Sequence, residues 1–199
     1  MTKPDLCCAI LAGGKSSRMG TNKALLKIDG ETLIERVVKT VESQIGNPVI
    51  ITNNPHQYTF LNLRSFPDLV REAGPLGGIY TALHYSPTPY CLVLACDLPF
   101  LTGALIKMLI EGRSTPDVLV VDAGKGPEPL CAVYRRTCLP VIRDQLDSGN
   151  LRVTDLYAKV NTRILNIQKA DRRFNPEVLF NVNSPEDLDR ARRINREGG

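Results

Sequence analysis

Glycines and fixed positive charges are concentrated in one short stretch near the N-terminus. Between residues 11 and 23 the chain reads LAGGKSSRMGTNK, which holds three glycines together with Lys15, Arg18 and Lys23. Glycines allow a ligand to approach backbone N–H groups closely, and the cations neutralise negative charge. Such a loop suits a triphosphate and the charge that develops on a phosphorus atom during transfer. A surface loop with basic residues in it by chance is the plainer alternative.

Two widespread phosphate-binding loops do not fit this stretch. A Walker loop needs a glycine five residues before its Gly-Lys-Ser, and Ala9 occupies that position. The Gly-x-Gly-x-x-Gly fingerprint of dinucleotide-binding proteins is also absent. If the loop binds phosphates, it belongs to another class.

Two acidic residues, one after an apolar run and one at the end of a short predicted strand, lie where a ligand could reach them. Asp97 comes after the apolar run YCLVLA, and one carboxylate plus phosphate oxygens is a coordination that magnesium accepts. An aspartate before Pro99 is equally expected to cap a turn. Asp68 follows Ser65-Phe66-Pro67 and, taken alone, is an ordinary loop acid. The sequence therefore offers one candidate metal ligand and leaves the turn alternative open.

Three further polar or glycine-rich segments flank the apolar runs. Residues 74–78 (GPLGG) suit either a loop-to-helix junction or a backbone wall against a flat base, and we favour the junction. Residues 126–130 (GPEPL) and 181–183 (NVN) are predicted to be turns beside strands.

Short apolar runs alternate with amphipathic segments along most of the chain. Strands buried on both faces and separated by helices indicate an α/β fold, a Rossmann-like three-layer domain with a mostly parallel sheet. Ligands in such folds bind at the carboxyl ends of the strands, where the loop and both acids fall. The predicted strands are 7–11, 49–52, 90–95, 117–121 and 130–134, and the predicted helices are 32–45, 102–110, 137–146 and one beginning at Ser184-Pro185.

The composition limits the class of protein. A chain of 199 residues that is 43% hydrophobic predicts a single domain over residues 1–199. The net charge of +4 without a basic block argues against nucleic-acid binding, and no apolar run of about 20 residues suggests a membrane span. The six cysteines lack metal-site spacing, so we expect reduced thiols and a cytoplasmic protein.

Five segments together resemble the molybdenum cofactor guanylyltransferase family, within the wider superfamily of small-molecule nucleotidylyltransferases. They occur in the order typical of that family and cover the chain from about residue 6 to residue 192. The first segment alone is shared with the whole superfamily, whereas the set of five is far more specific. The segments are 11–23, 74–78, CDLPF at 96–100, EPL at 128–130 and FNVNSPEDL at 180–188.

The resemblance implies transfer of GMP from GTP to a molybdopterin cofactor, with magnesium as the metal. It assigns nucleotide binding to Leu11, Ala12, Gly13, Gly14, Lys23, Asp68 and Asp97, magnesium to Asp97, and catalysis to Arg18, Lys23 and Asp97. Arg18 would clamp the triphosphate, while Asn181 and Asn183 match a motif that faces the pterin. Transient contacts with cofactor-biosynthesis proteins and molybdoenzymes are also implied.

Three residues depart from the pattern of the family. Asn22 stands where an aspartate usually precedes the lysine, Thr52 stands where an asparagine is common, and Ala95 replaces a common proline. Two other functions therefore stay open. One is cytidylyl transfer to molybdopterin or another phosphorylated small molecule, and the other is nucleotide binding without catalysis.

Overall fold

The computed structural model describes residues 5–13, 22–170 and 175–197. Lys15, Arg18 and Gly14, which the sequence analysis singles out, lie outside the described residues. In chain order the strands are β1 (Leu6–Leu11), β2 (Lys27–Ile28), β3 (Glu31–Thr32), β4 (Val49–Ile51), β5 (Ser65–Phe66), β6 (Tyr90–Ala95), β7 (Val118–Asp122), β8 (Pro127–Arg135) and β9 (Thr162–Asn166). The α-helices are α1 (Leu33–Glu42), α2 (Gly74–Tyr85), α3 (Gly103–Gly112), α4 (Leu139–Asp147), α5 (Ile167–Ala170) and α6 (Pro185–Glu197).

One large sheet organises the described part of the chain. Its seven strands lie in the order β5-β4-β1-β6-β8-β7-β9, while β2 and β3 form a separate two-stranded hairpin. The pairs β1–β4, β1–β6, β4–β5 and β7–β9 are parallel. Strand β8 runs antiparallel to both of its neighbours, β6 and β7. As a result, the beginning of β8 lies at the same edge of the sheet where the parallel strands end.

Helices cover both faces of this sheet. On one face the apolar sides of α1 and α3 pack on Cys8 and Ile10 of β1, and on the other those of α2 and α4 pack around Ala9 and Leu11. Successive side chains of a strand point to opposite faces, so β1 contributes to both cores. The α/β three-layer fold with a mostly parallel sheet is confirmed.

Most boundaries of the predicted elements agree with the structure to within a few residues. Strand β6 occupies the predicted range and is buried along its whole length. Helix α1 begins at Leu33 because Thr32 is its N-cap, in a capping box with Glu35. Thr102 likewise caps α3 through its side chain. All six cysteines are free thiols, as predicted.

The predicted turn at residues 126–130 is wrong, because Pro127 opens strand β8. The pairing of β7 with β8 shifts register between Val120 and Val121. Proline is tolerated at the first residue of a strand and at such irregularities, because there its missing N–H interrupts no regular ladder. The correction places Glu128 near the start of a strand rather than in a turn.

The glycine-rich segment at residues 74–78 begins helix α2, which supports the junction interpretation. A Cβ at Gly77 would lie 2.7 Å from the Cβ of Ala73 and 3.0 Å from the carbonyl oxygen of Val70. A Cβ at Gly78 would lie 2.8 Å from Cδ1 of Leu11. These glycines therefore let α2 pack closely on β1 and on the turn before it.

The C-terminal helix α6 packs beside the hairpin rather than on the sheet. A small third core joins Ile28 and Leu33 with Phe180, Val182 and Leu188. This core holds the segment that precedes α6 near the edge where β6 ends. In the part of the chain that the structure describes, no helix combines the length and apolar character that crossing a membrane requires.

Candidate active site

Polar side chains from distant parts of the chain lie along one edge of the sheet, in the order of its strands. Asp68 follows β5, Gly13 follows β1, and Asp97 follows β6. Glu128 joins them from β8, because that strand begins at this edge. Strand β4 pairs with one side of β1 and β6 with the other, so the order in which strands are added to the sheet changes direction at β1. This creates the topological switch point where α/β folds bind ligands.

Four of the residues predicted to contact a nucleotide lie at the β1–β4–β5 side of this edge, namely Leu11, Ala12, Gly13 and Asp68. The N–H of Ala12 donates to the carbonyl of Ile51 at 2.9 Å, which ties the end of β1 to the end of β4. A Cβ at Gly13 would lie 3.7 Å from Oδ2 of Asp68. The backbone after Leu11 and the carboxylate of Asp68 therefore face a common space.

Asn53 holds Asp68 in place, and sequence reasoning missed it. Its amide nitrogen donates to Oδ2 of Asp68 at 2.8 Å, and its amide oxygen accepts from the backbone N–H of Asp68 at 3.0 Å. Burial raises the pKa of Asp68, while the hydrogen bond from Asn53 opposes that change. Thr52, the departure from the pattern of the family, is buried and accepts the N–H of Asn54. The amide that reaches Asp68 thus comes from the next residue.

Lys23 and Asp97 form an ion pair at the centre of the edge. The Nζ of Lys23 donates to Oδ2 of Asp97 at 2.5 Å, and the Asp97 residue is only 3% exposed. Lys23 begins a short 3-10 helix (Lys23–Leu25), whereas Asp97 follows the fully buried β6. Nζ of Lys23 also donates to Oδ1 of Asn183 at 3.1 Å. The short 3-10 helix, the end of β6 and the segment that precedes α6 therefore meet at one ammonium group.

Asn22, another departure from the family, has well-defined partners in the structure. Its amide oxygen caps the N–H of Ala24, and its amide nitrogen donates to Oε1 of Gln57 and, at 2.8 Å, to the hydroxyl of Tyr58. The hydroxyl of Tyr58 in turn donates to the carbonyl of Ala12 at 3.0 Å. Asn22 is thus the donor end of a chain of hydrogen bonds that reaches the backbone after β1.

The segment Asn181-Val182-Asn183 lies at the site and connects its parts, and it is irregular rather than the predicted turn. The N–H of Val182 donates to the carbonyl of Asp97 at 3.2 Å, and the Val182 side chain is buried in the third core. Asn183 binds Lys23, while the amide nitrogen of Asn181 donates to Oε2 of Glu128 at 3.1 Å. Glu128 was not predicted as a site residue, although it lies in one of the five matching segments.

Thiol chemistry is not expected at this edge. Burial and the charge of Asp97 raise the pKa of Cys96 to about 12, so that the thiol stays protonated at neutral pH. Burial also raises the pKa of Glu128, against which the hydrogen bonds from the N–H of Leu130 and from Asn181 act. The chemistry of the site therefore rests on its cation, its carboxylates and its amides.

The donor set suits a metal that takes few ligands from the protein. Among residues 5–13, 22–170 and 175–197, no cluster of three or more His, Cys, Asp or Glu side chains can hold a metal ion. Magnesium commonly binds through one or two carboxylates and completes its shell with phosphate oxygens and water. The carboxylate of Asp97 fits that requirement, whereas a closed structural zinc site does not fit.

Comparison with known proteins agrees with this architecture. Residues 8–162 match the MobA-like NTP transferase domain. A molybdenum cofactor guanylyltransferase from Desulfosudis oleivorans is 40% identical over 186 residues, which cover 92% of each chain. A probable molybdenum cofactor guanylyltransferase from Carboxydothermus hydrogenoformans is 38% identical, and the match covers 96% of each chain.

The fold has a similar counterpart among solved structures. Molybdopterin-guanine dinucleotide biosynthesis protein A from Archaeoglobus fulgidus superposes with a TM-score of 0.79 at 26% identity, over 96% of this chain and 98% of that one. The family match spans the strands and loops that build the site from β1 to the first residue of β9, and the relatives align over nearly the whole chain. The chain belongs to the MobA-like NTP transferase family.

Proposed function

We propose that the protein transfers GMP from GTP to the terminal phosphate of the molybdenum–molybdopterin cofactor, giving the guanine dinucleotide form and pyrophosphate. The ion pair between Lys23 and Asp97 carries the proposal, because it places a cation and a buried carboxylate where β1 and β6 end side by side. The relatives named as molybdenum cofactor guanylyltransferases, which align over more than nine-tenths of this chain, support the choice of substrates.

In this proposal GTP lies over the β1–β4–β5 side of the edge. The backbone of Leu11, Ala12 and Gly13, continued by Gly14, would follow the nucleotide. The carboxylate of Asp68 accepts hydrogen bonds and repels phosphate, so it suits the hydroxyl and amino groups of the nucleoside. The phosphates would then extend toward Lys23, with Arg18 as a second cation.

The chemistry demands alignment and charge neutralisation rather than a strong base. The terminal phosphate of the cofactor is already an anionic nucleophile, and it attacks the α-phosphorus of GTP as pyrophosphate leaves. Lys23 and Arg18 would neutralise the leaving pyrophosphate. Nζ of Lys23 can turn toward phosphate oxygens and still keep Oδ1 of Asn183 as a partner. The fixed positions of both substrates supply much of the rate acceleration.

Asp97 would hold magnesium in this reaction. When bound, the metal ion acts as a Lewis acid that withdraws charge from the α-phosphate. Asp97 itself would hold the metal ion at a fixed position beyond the end of β6, because this fully buried strand fixes the backbone before Asp97. The donor set of the site supports magnesium in preference to softer metals.

The setting of the reaction follows from the same proposal. A single nucleotidylyltransferase domain over residues 1–199 would act in the cytoplasm, with GTP and the cofactor as substrates. Transient contacts with cofactor-biosynthesis proteins and molybdoenzymes would pass the product on to the enzymes that use it.

Nucleotide choice tests the proposed function directly. With the molybdenum cofactor as acceptor, GTP should exceed CTP and ATP in kcat/KM by roughly 10- to 100-fold or more, because a site shaped for guanine leaves polar groups unpaired with another base. The measurement is dinucleotide product and pyrophosphate release for each nucleotide. A GTP-to-CTP ratio of one or less would favour cytidylyl transfer, and nucleotide binding without any product would indicate a non-catalytic protein.

Replacement of the central carboxylate should separate catalysis from folding. Asp97→Asn is expected to lower turnover by about 10²-fold or more, since a positioned charge is lost while the shape of the residue is kept. Asp189→Asn, on the exposed face of α6, is the matched control and should leave turnover unchanged. Steady-state rates and thermal unfolding of both variants decide the matter. Near-normal turnover of Asp97→Asn would remove the residue from the mechanism.

We expect the protein to be fully active with Asn22, although the family usually has an aspartate at this position. An aspartate at this position cannot donate to Tyr58 and competes with Ala12 for the hydroxyl proton of Tyr58. Asn22→Asp should therefore change turnover by less than about tenfold, which is ~1.4 kcal/mol of barrier. It should also lower the free energy of unfolding by about 1 kcal/mol.

Turnover and urea unfolding of the Asn22→Asp variant check this expectation. The control is Asn62→Asp, which introduces the same charge at the exposed C-cap of the neighbouring 3-10 helix (Pro55–Leu61). A rate increase of well over tenfold in Asn22→Asp would show that the natural protein is an impaired member of its family.

A further inference from the structure

Glu128 has a fixed position at the edge of the sheet, although it touches neither Lys23 nor Asp97 through a hydrogen bond that the structure shows. Its Oε1 accepts from the backbone N–H of Leu130 at 3.2 Å, and its Oε2 accepts from the amide nitrogen of Asn181 at 3.1 Å. The first contact holds the carboxylate against its own strand. The second ties strand β8 to the segment that precedes α6, 53 positions further along the chain.

This arrangement determines which way the amide of Asn181 points. The amide nitrogen also donates to the carbonyl of Leu179 at 3.4 Å. A carboxylate and a carbonyl are acceptors only, so both must face the NH₂ group of the amide and never its oxygen. The orientation is thus dictated by the chemistry of its partners, and Oδ1 of Asn181 points away from them.

The place of Asn181 in the fold indicates what its oxygen meets. Along the edge, Gly13 and Asp68 lie on the β1–β4–β5 side of Lys23 and Asp97, whereas Glu128 and Asn181 lie on the β8 side. If the guanosine occupies the first side and the α-phosphate lies next to Lys23 and Asp97, the second side is free for the acceptor, whose attacking oxygen must lie opposite the leaving pyrophosphate. An amide oxygen that faces the acceptor there can accept a hydrogen bond from an N–H donor of the acceptor.

We propose that Glu128 is a positioning residue that fixes the amide of Asn181 with Oδ1 toward the acceptor substrate, so that the site selects ligands with N–H donors, such as an amino-substituted heterocycle. This role rests on the proposed function, which supplies the acceptor. Glu128 itself need not touch the ligand. Its contribution passes through the orientation of Asn181, and the nucleotide side of the edge does not depend on it.

An exchange of the two side chains tests this role. In Glu128→Gln one of the two accepting oxygens becomes an NH₂ group. That group then faces a donor, either the N–H of Leu130 or the NH₂ of Asn181, and one hydrogen bond is lost. In Asn181→Asp two carboxylates come together. The double variant Glu128→Gln/Asn181→Asp restores an amide–carboxylate pair of the same total charge, with an accepting oxygen toward the ligand.

The measurement is retention of the molybdenum cofactor in equilibrium dialysis without GTP, with the retained molybdenum quantified, so that no turnover is needed. Each single variant should raise the dissociation constant about tenfold, as expected when one buried hydrogen bond to a charged group is lost. The double variant should return to within about threefold of the natural protein, because the 3.1 Å contact is restored with donor and acceptor exchanged and only the long 3.4 Å contact with Leu179 is lost. The dissociation constant for GTP should stay within about twofold in all three, since their changes lie on the other side of the edge.

Glu177→Ala is the matched control. It removes a carboxylate that binds Arg190 just before the same segment, and it should leave cofactor retention unchanged. Unfolding in urea establishes that every variant is folded, and Glu128→Ala replaces Glu128→Gln if the latter is not, with the same expected loss.

The possible outcomes separate the two proposals. If the single variants bind the cofactor as the natural protein does, or if the double variant shows the product of two independent losses, Glu128 does not act through Asn181. If the natural protein binds GTP but retains no cofactor, the proposed acceptor is wrong and this inference falls with it.

Discussion

The contact between Lys23 and Asp97 is the constraint on which the rest of the site depends. A carboxylate that is 3% exposed needs a partner, since an isolated buried charge is strongly destabilising. The partner is Lys23 at the start of the short 3-10 helix, so the ion pair fixes that helix against the end of β6. Asn183 extends the same contact to the C-terminal segment. Loss of the ammonium group would thus release three parts of the chain together.

The reversed direction of β8 gives this edge its two sides. If β8 ran parallel to β6, its last residues and the loop after them would lie next to Asp97. Because β8 is antiparallel, its first residues reach the edge, and Glu128 stands there on a strand that pairs with Val121 of β7 at this point. Side chains on strands are held more rigidly than those on loops, which suits a group that must orient another side chain.

Local patterns in the sequence predicted the elements and the centre of the site, because burial and strand ends leave local signals. The apolar run 90–95 predicted β6 and with it the position of Asp97. Contacts between distant residues leave no such signal. Lys23 meets Asn183 across 160 positions, and the direction of β8 depends on pairing rather than on its own composition. Strand β9 was missed because its side chains are mostly exposed or half-buried, without the apolar alternation that marks a strand.

In the proposed arrangement the edge is divided, with the nucleotide on the β1–β4–β5 side and the acceptor on the β8 side of Lys23 and Asp97. A crystal structure of the protein with a GTP analogue that cannot be cleaved between the α- and β-phosphates tests this division most directly. We expect the guanosine beside Gly13 and Asp68, the α-phosphate next to Lys23 and Asp97, and an open space before Asn181. A guanosine bound against Glu128 and Asn181 would contradict it.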